Sequence, residues 1–268
     1  MTSRSWHAER VATPTFWSSG RYDAVGERIA PIAGQVVDAA ASRHPLRDAA
    51  VVDLACGTGS AALSAAARGA QVTGVDLTPE LLEIAAGRDG ASSVRWHTGD
   101  ASDTGLPAAS FDVAVSNMGT VFVDPEKQVA ELIRLLKPGG VLAFSSWVRD
   151  THNPLFDPVI AVLGPPAASA FSPDQWGDAD IATERLSAFD DVDIVRGRHR
   201  WEFESMAAAM HFLTAESPMH VETFRRAEPR QRDRLAAEFE QAMRPHLDAS
   251  GTVAFTSSYA VITAVLRG

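Results

Sequence analysis

The chain has 268 residues, 24 Lys plus Arg against 34 Asp plus Glu, a formal net charge of −10 and a single cysteine. At roughly 150 residues per domain, that length can bury one continuous core, and 46% hydrophobic against 22% charged residues is the balance of a globular chain. The acidic balance speaks against nucleic acid or an anionic membrane as partner, because phosphates are bound by clustered Lys and Arg. Cys56 alone supports neither an intramolecular disulfide nor a multi-cysteine metal site.

The opening MTSRSWHAERVATP has no apolar run. No segment reaches the roughly 20 apolar residues that cross a bilayer. A cytoplasmic protein is expected, monomer or homodimer, with neither membrane nor nucleic acid as partner.

Between Val51 and Trp147 short apolar runs alternate with helical patterns, the mark of a parallel sheet covered on both faces. AVVDLA is a first strand ending at Ala55, followed by the helix SAALSAAARG with Gly69 as its stop. AQVTGVD ends a second strand at Asp76, after which Thr78 caps a helix opened by Pro79 and carrying Leu81, Leu82 and Ile84. SVRWHT and FDVAVSN are the third and fourth strands.

Asp124 caps the next helix, Pro125 opens it, and Val129, Leu132, Ile133 and Leu136 fall on one face. Lys137-Pro138-Gly139-Gly140 stops it before the fifth strand, VLAFSSW. Repeated right-handed α/β units predict a doubly wound, seven-stranded, mostly parallel sheet.

After Asp150 the pattern loosens. NPLFDPVIAVLGPP reads as loop and short helix, ADIATERLSAFD as helix, and VDIVRGRHRWEF as strand. Residues 205–249 are mostly helical, ending in a segment that places Leu235, Phe239 and Met243 in phase, and SSYAVITAVL is the last strand. The predicted organisation of residues 1–268 is one domain: a helical cover (1–45), a ligand-binding core (46–149), insertions (150–250) including a helical lid (205–249), and a closing strand (251–268). Met206, Met210, Phe212, Met219 and Phe224 of the lid suit a plain core beneath it or an irregular apolar pocket.

Gly57-Thr58-Gly59 follows a strand and opens a helix, where backbone must approach a ligand without a Cβ in the way. Asp76, 19 residues beyond Gly57, can accept hydrogen bonds from ribose hydroxyls. That pair suits a dinucleotide or any adenosine. Asp53, inside the first strand, would repel a pyrophosphate but can accept from an ammonium group. The carboxylate of Asp100 can take an adenine amino group while a backbone N–H of Gly99-Asp100-Ala101 meets the ring. Asn117 puts a polar strand end beside the same crevice.

Together, Asp53-Leu54-Ala55-Cys56-Gly57-Thr58-Gly59, Asp76, Gly99-Asp100-Ala101, Phe111-Asp112-Val113 and Leu136-Lys137-Pro138-Gly139-Gly140 resemble the successive motifs of class I S-adenosylmethionine-dependent methyltransferases. The nearest type is the small-molecule enzymes related to quinone-biosynthesis methyltransferases. The resemblance implies S-adenosylmethionine as cofactor and S-adenosylhomocysteine as product. It implies that Asp53 and the Ala55–Gly59 turn, including Gly57, Thr58 and Gly59, hold the methionine moiety. Asp76 would hold the ribose, Leu77 one adenine face, and Asp100 with Ala101 the adenine edge. Asn117 would lie near the methionine end through its backbone, under a cover bearing Trp17 and Tyr22.

The expected reaction is in-line methyl transfer to a small, partly apolar metabolite, achieved largely by positioning. A hydroxyl acceptor would call for a general base, for which His152, His211 and His220 are the candidates. No histidine spacing suggests a metal. Two alternatives stay open: an NAD-dependent oxidoreductase on the same glycine turn, and a non-catalytic module binding S-adenosylmethionine.

Overall fold

In the computed structural model, residues 15–165 and 171–268 are described; the first 14 residues of the expected cover lie outside them. The elements in chain order are α1 (Tyr22–Arg43), β1 (Ala50–Leu54), α2 (Ser60–Ala66), β2 (Gln71–Asp76), α3 (Pro79–Ala86), β3 (Val94–Thr98) and β4 (Phe111–Asn117). There follow α4 (Pro125–Leu135), β5 (Leu136–Trp147), α5 (Asp157–Leu163), α6 (Ala179–Arg185) and β6 (Phe189–Phe203). After β6 come α7 (Met206–His211), a π-helical turn (Phe212–Glu216), α8 (Pro218–Arg226), α9 (Pro229–Met243) and β7 (Val253–Leu266).

The seven strands form one sheet in the order β3-β2-β1-β4-β5-β7-β6, with β7 antiparallel to both neighbours. The strand order reverses between β1 and β4, so a crevice opens at their carboxyl ends, where ligands bind in doubly wound sheets. One face of the sheet packs on α1, α2 and the 205–249 segment, the other on α4 and α6. The segment after β6 is anchored by Leu235, Phe239 and Met243, all fully buried, as their helical spacing predicts. Phe212 is buried with them, Met206, Met210 and Phe224 pack partly against the same core, and Met219 faces outward at 43% exposure.

Several sequence expectations need correction. Leu136 does not continue α4 but opens β5, paired with Phe111, and Lys137–Gly140 belongs to the strand, with a register shift opposite Phe111 and Val113. Gly139, at φ +77°, supplies the backbone for that irregularity. On α4 the buried face runs through Gln128, Glu131, Leu132 and Leu135, while Ile133 is exposed. Thr78 precedes α3 as expected, but its hydroxyl caps nothing: it bonds the Thr15 hydroxyl at 2.7 Å. β1 ends one residue early because Ala55 turns into the left-handed region at φ +51°.

Candidate functional site

The crevice is built by four loops that leave the sheet at β1, β2, β3 and β4. After β1, Ala55, Gly57 and Gly59 all have positive φ (+51°, +54° and +80°), so the chain reverses tightly and α2 begins at Ser60. A side chain on Gly57 would stand 2.9 Å from the Tyr22 ring, and one on Gly59 would overlap Trp96. Gly57 therefore admits the aromatic cover, whereas Gly59 serves packing behind the loop. After β4, Met118 is also left-handed (φ +58°), and Gly119 lies directly against the Ala55 carbonyl. Hydroxyls fasten this second loop: Ser116 donates to the Leu54 carbonyl at 2.7 Å, and Ser145 donates to Asn117 Oδ1 at 2.8 Å.

Asp76, at the end of β2, holds the two adjacent turns together. Its Oδ2 accepts the Gly57 N–H at 2.8 Å and its Oδ1 the Thr78 N–H at 2.9 Å. Each carboxylate oxygen retains a further lone pair for an incoming hydroxyl. Burial pushes this acid up, and the bonds from Thr78 and Gly57 oppose the shift without cancelling it.

Asp53 is more extreme. Only 1% exposed, it accepts the Ala62 N–H at Oδ2 (2.8 Å), while Oδ1 is buried with no hydrogen-bond partner. Burial, and secondarily the Asp76 charge, push Asp53 up to about 8 against the pull of the Ala62 bond. A buried acceptor left unmatched costs about 1–3 kcal/mol, so this oxygen is poised for a donor.

Tyr22 divides the space. One side is a crevice of about 310 Å³ lined by Trp17, Ala55, Gly57, Asp76, Leu77, Asp100, Ala101, Met118, Gly119 and Phe122, among others. On the other side Tyr22, Asp53, Thr58 and Asn117 line a space of only about 10 Å³, room for one water molecule. Among the described residues lining both spaces, Asp53, Asp76, Asp100 and Asp124 face a single cation, Lys127. That balance favours a ligand with a positive group and disfavours a pyrophosphate.

Residues 15–21 run across the crevice as a strap. Thr15 is tied to Thr78, the Trp17 ring sits edge-on to Phe122 at 4.8 Å, and the Arg21 N–H donates to the Glu216 carbonyl at 2.8 Å. The last bond joins the strap to the π-helical turn between α7 and α8.

The expected residues thus divide. Trp17, Tyr22, Ala55, Gly57, Asp76, Leu77, Asp100 and Ala101 meet in the crevice, Asp53, Thr58 and Asn117 line the small space beside Tyr22, and the expected Gly59 lines neither, packing against Trp96 instead. The Asn117 side chain is taken up within the protein, its amide N–H donating to the Ile29 carbonyl at 3.3 Å and its Oδ1 accepting from the Ser145 hydroxyl at 2.8 Å. None of the three candidate bases lines either space. His152 and His211 are exposed. His220 is a half-buried bridge between Ser217 Oγ and the Leu155 carbonyl, each 2.7 Å away. The sequence reading missed Met118, Gly119 and Phe122, although a glycine two residues past an apolar strand was the available signal.

A family model described as a methyltransferase domain matches residues 52–144. An uncharacterized protein of Mycobacterium tuberculosis is 34% identical over 178 residues, 63% of each chain. The match thus spans somewhat under two thirds of that relative's length. Aklanonic acid methyltransferase from a Streptomyces species is 32% identical over 168 residues, covering 59% of this chain and 75% of that one. Among solved structures, the YcgJ protein of Bacillus subtilis superposes with a TM-score of 0.56 at 19% identity, over 87% of this chain and 99% of that one. The chain belongs to the class I S-adenosylmethionine-dependent methyltransferases of the small-molecule type, a family of enzymes that use S-adenosylmethionine. The nicotinamide alternative is thereby set aside.

Proposed function

We propose that the protein transfers a methyl group from S-adenosylmethionine to a small, partly apolar metabolite enclosed between the strap and the helical lid. The observation that carries this reading is the buried, unpartnered Oδ1 of Asp53, beside a second strand-end carboxylate on Asp76. A cofactor with a ribose and a cationic amino-acid tail matches both groups. Asp76 would take the ribose hydroxyls, Leu77 and Ala101 would flank the adenine, and Asp100 would receive its amino group. Asp53, with Thr58 and Asn117 beside it, would take the ammonium end once Tyr22 yields room. When bound, the cofactor supplies an activated methyl group on a sulfonium.

The protein's own contribution is to align the acceptor and exclude water, effects that together supply roughly 7–11 kcal/mol in favourable cases. The aromatic strap of Trp17 and Tyr22 with Phe122 suits an apolar acceptor that enters from the lid side. A relative named for aklanonic acid supports a small-molecule acceptor rather than a macromolecule.

Calorimetric titration with S-adenosylhomocysteine tests the reading. Wild type should bind, and Asp76→Ala should weaken binding by roughly tenfold to a hundredfold, the worth of hydrogen bonds to a charged group. No binding by folded wild-type protein contradicts the reading.

A further inference from the structure

A buried carboxylate that no step of methyl transfer uses lies behind the adenine side of the crevice. Glu131, on α4, is 5% exposed. Its Oε1 accepts the Thr104 N–H at 2.9 Å and the Thr104 hydroxyl at 2.6 Å. Arg134, one turn on, donates to both carboxylate oxygens at 2.7 Å, and its remaining arm donates to the Leu106 carbonyl at 2.7 Å. Burial pushes the Glu131 acid up, but the bonds from Arg134 and Thr104 outweigh it and hold the carboxyl below its usual range. Only the acid of this pair is buried, the Arg134 side chain being 37% exposed, so solvent screens the ion pair and its stability contribution is a weak reason for so many bonds converging on one carboxylate.

What the pair does is fix a loop. Thr104 and Leu106 end the segment that begins with Asp100, Ala101 and Ser102, three residues lining the crevice. The rest of the segment is held in the same manner. His97 Nε2 bonds the Thr104 carbonyl at 2.9 Å, and Asp100 Oδ1 accepts the Ser102 N–H at 2.8 Å and its hydroxyl at 2.7 Å. Asp100 is thus left with Oδ2 for a ligand, aimed by a loop whose far end is clamped to α4.

We infer that Glu131 is a positioning residue for adenine recognition: through Thr104 and Arg134 it sets the loop that presents Asp100 and Ala101 to the base. The inference rests on the cofactor reading above. Losing the clamp lets the loop relax, so the adenine edge is met by a carboxylate of variable position, and discrimination at the exocyclic amino group falls.

The experiment is calorimetric titration of wild type, Glu131→Leu and Glu131→Gln with S-adenosylhomocysteine and with its deaminated counterpart, S-inosylhomocysteine. It is run well below the unfolding temperature of each variant, with Thr104→Val as a milder change that removes the hydroxyl bond alone. Wild type should prefer the adenosyl compound by at least about tenfold. Glu131→Leu should bring that preference close to unity, and Glu131→Gln, which keeps an acceptor for Thr104, should restore part of it. Thr104→Val should fall between them. A wild-type preference retained intact in folded Glu131→Leu and Thr104→Val overturns the inference and leaves the cofactor reading standing. Failure of wild type to bind either compound overturns the cofactor reading itself, and the inference with it.

Discussion

The two halves of the site are built on opposite plans. The crevice proposed for adenosine, of about 310 Å³, has walls of backbone turns pinned by Asp76 and by the clamp on the Asp100 loop. The space proposed for the methionine tail is small, about 10 Å³ around Asp53 behind the Tyr22 ring. The first half is preformed, so binding there costs little ordering. On the proposed reading the second must exchange an aromatic contact and a proton for the ligand, which makes it the selective half, since a tail whose positive charge satisfies Asp53 offsets the opening.

The strongest way to break this comparison is to remove the charge at Asp53. Asp53→Asn should weaken S-adenosylhomocysteine about a hundredfold while leaving free adenosine within about twofold, as read by calorimetry. The same variant has a stability signature. Because Asp53 is pushed up to about 8 in the folded protein, first by burial, its contribution to stability is fully present below about pH 4 and is lost as pH rises toward 8. Thermal unfolding of the wild type should therefore decline across that window more steeply than that of Asp53→Asn. Equal slopes would place the Asp53 carboxyl in an ordinary environment.

A smaller effect sharpens the same point. Binding the ammonium requires ionised Asp53, so S-adenosylhomocysteine affinity should fall by up to about tenfold per pH unit below 8, whereas adenosine affinity stays flat. The smallest effect concerns the strap. Thr15→Val removes the 2.7 Å hydroxyl contact to Thr78, worth about 0.5–1.5 kcal/mol, and should speed cofactor dissociation roughly two- to tenfold in stopped-flow traces.

The two halves also differ in how far the sequence exposes them. Local rules carried the crevice walls: a glycine turn after an apolar strand, an aspartate ending the next strand, and Asp124-Pro125 opening α4, where Asp124 accepts the Glu126 and Lys127 N–H groups at 3.1 Å. Leu235, Phe239 and Met243 likewise followed from helical period alone. The division by Tyr22 had no such signal. It depends on how α1 lies across the β1 loop, a packing between residues distant in sequence, and nothing near Tyr22 marks its ring as a partition. Lys137–Gly140 misled for a related reason: a proline-glycine run normally ends a helix, but pairing of Leu136 with Phe111 draws it into β5. The histidines misled because composition cannot tell a bridge such as His220 from a base.

A crystal structure of the protein with S-adenosylhomocysteine bound tests the central claim most directly. The ligand's ammonium should stand about 3 Å from Asp53 Oδ1, or one water away, with Tyr22 displaced and the ribose hydroxyls on Asp76. An amino-acid tail lying elsewhere, with Tyr22 still closed over an unpaired Asp53, would contradict it.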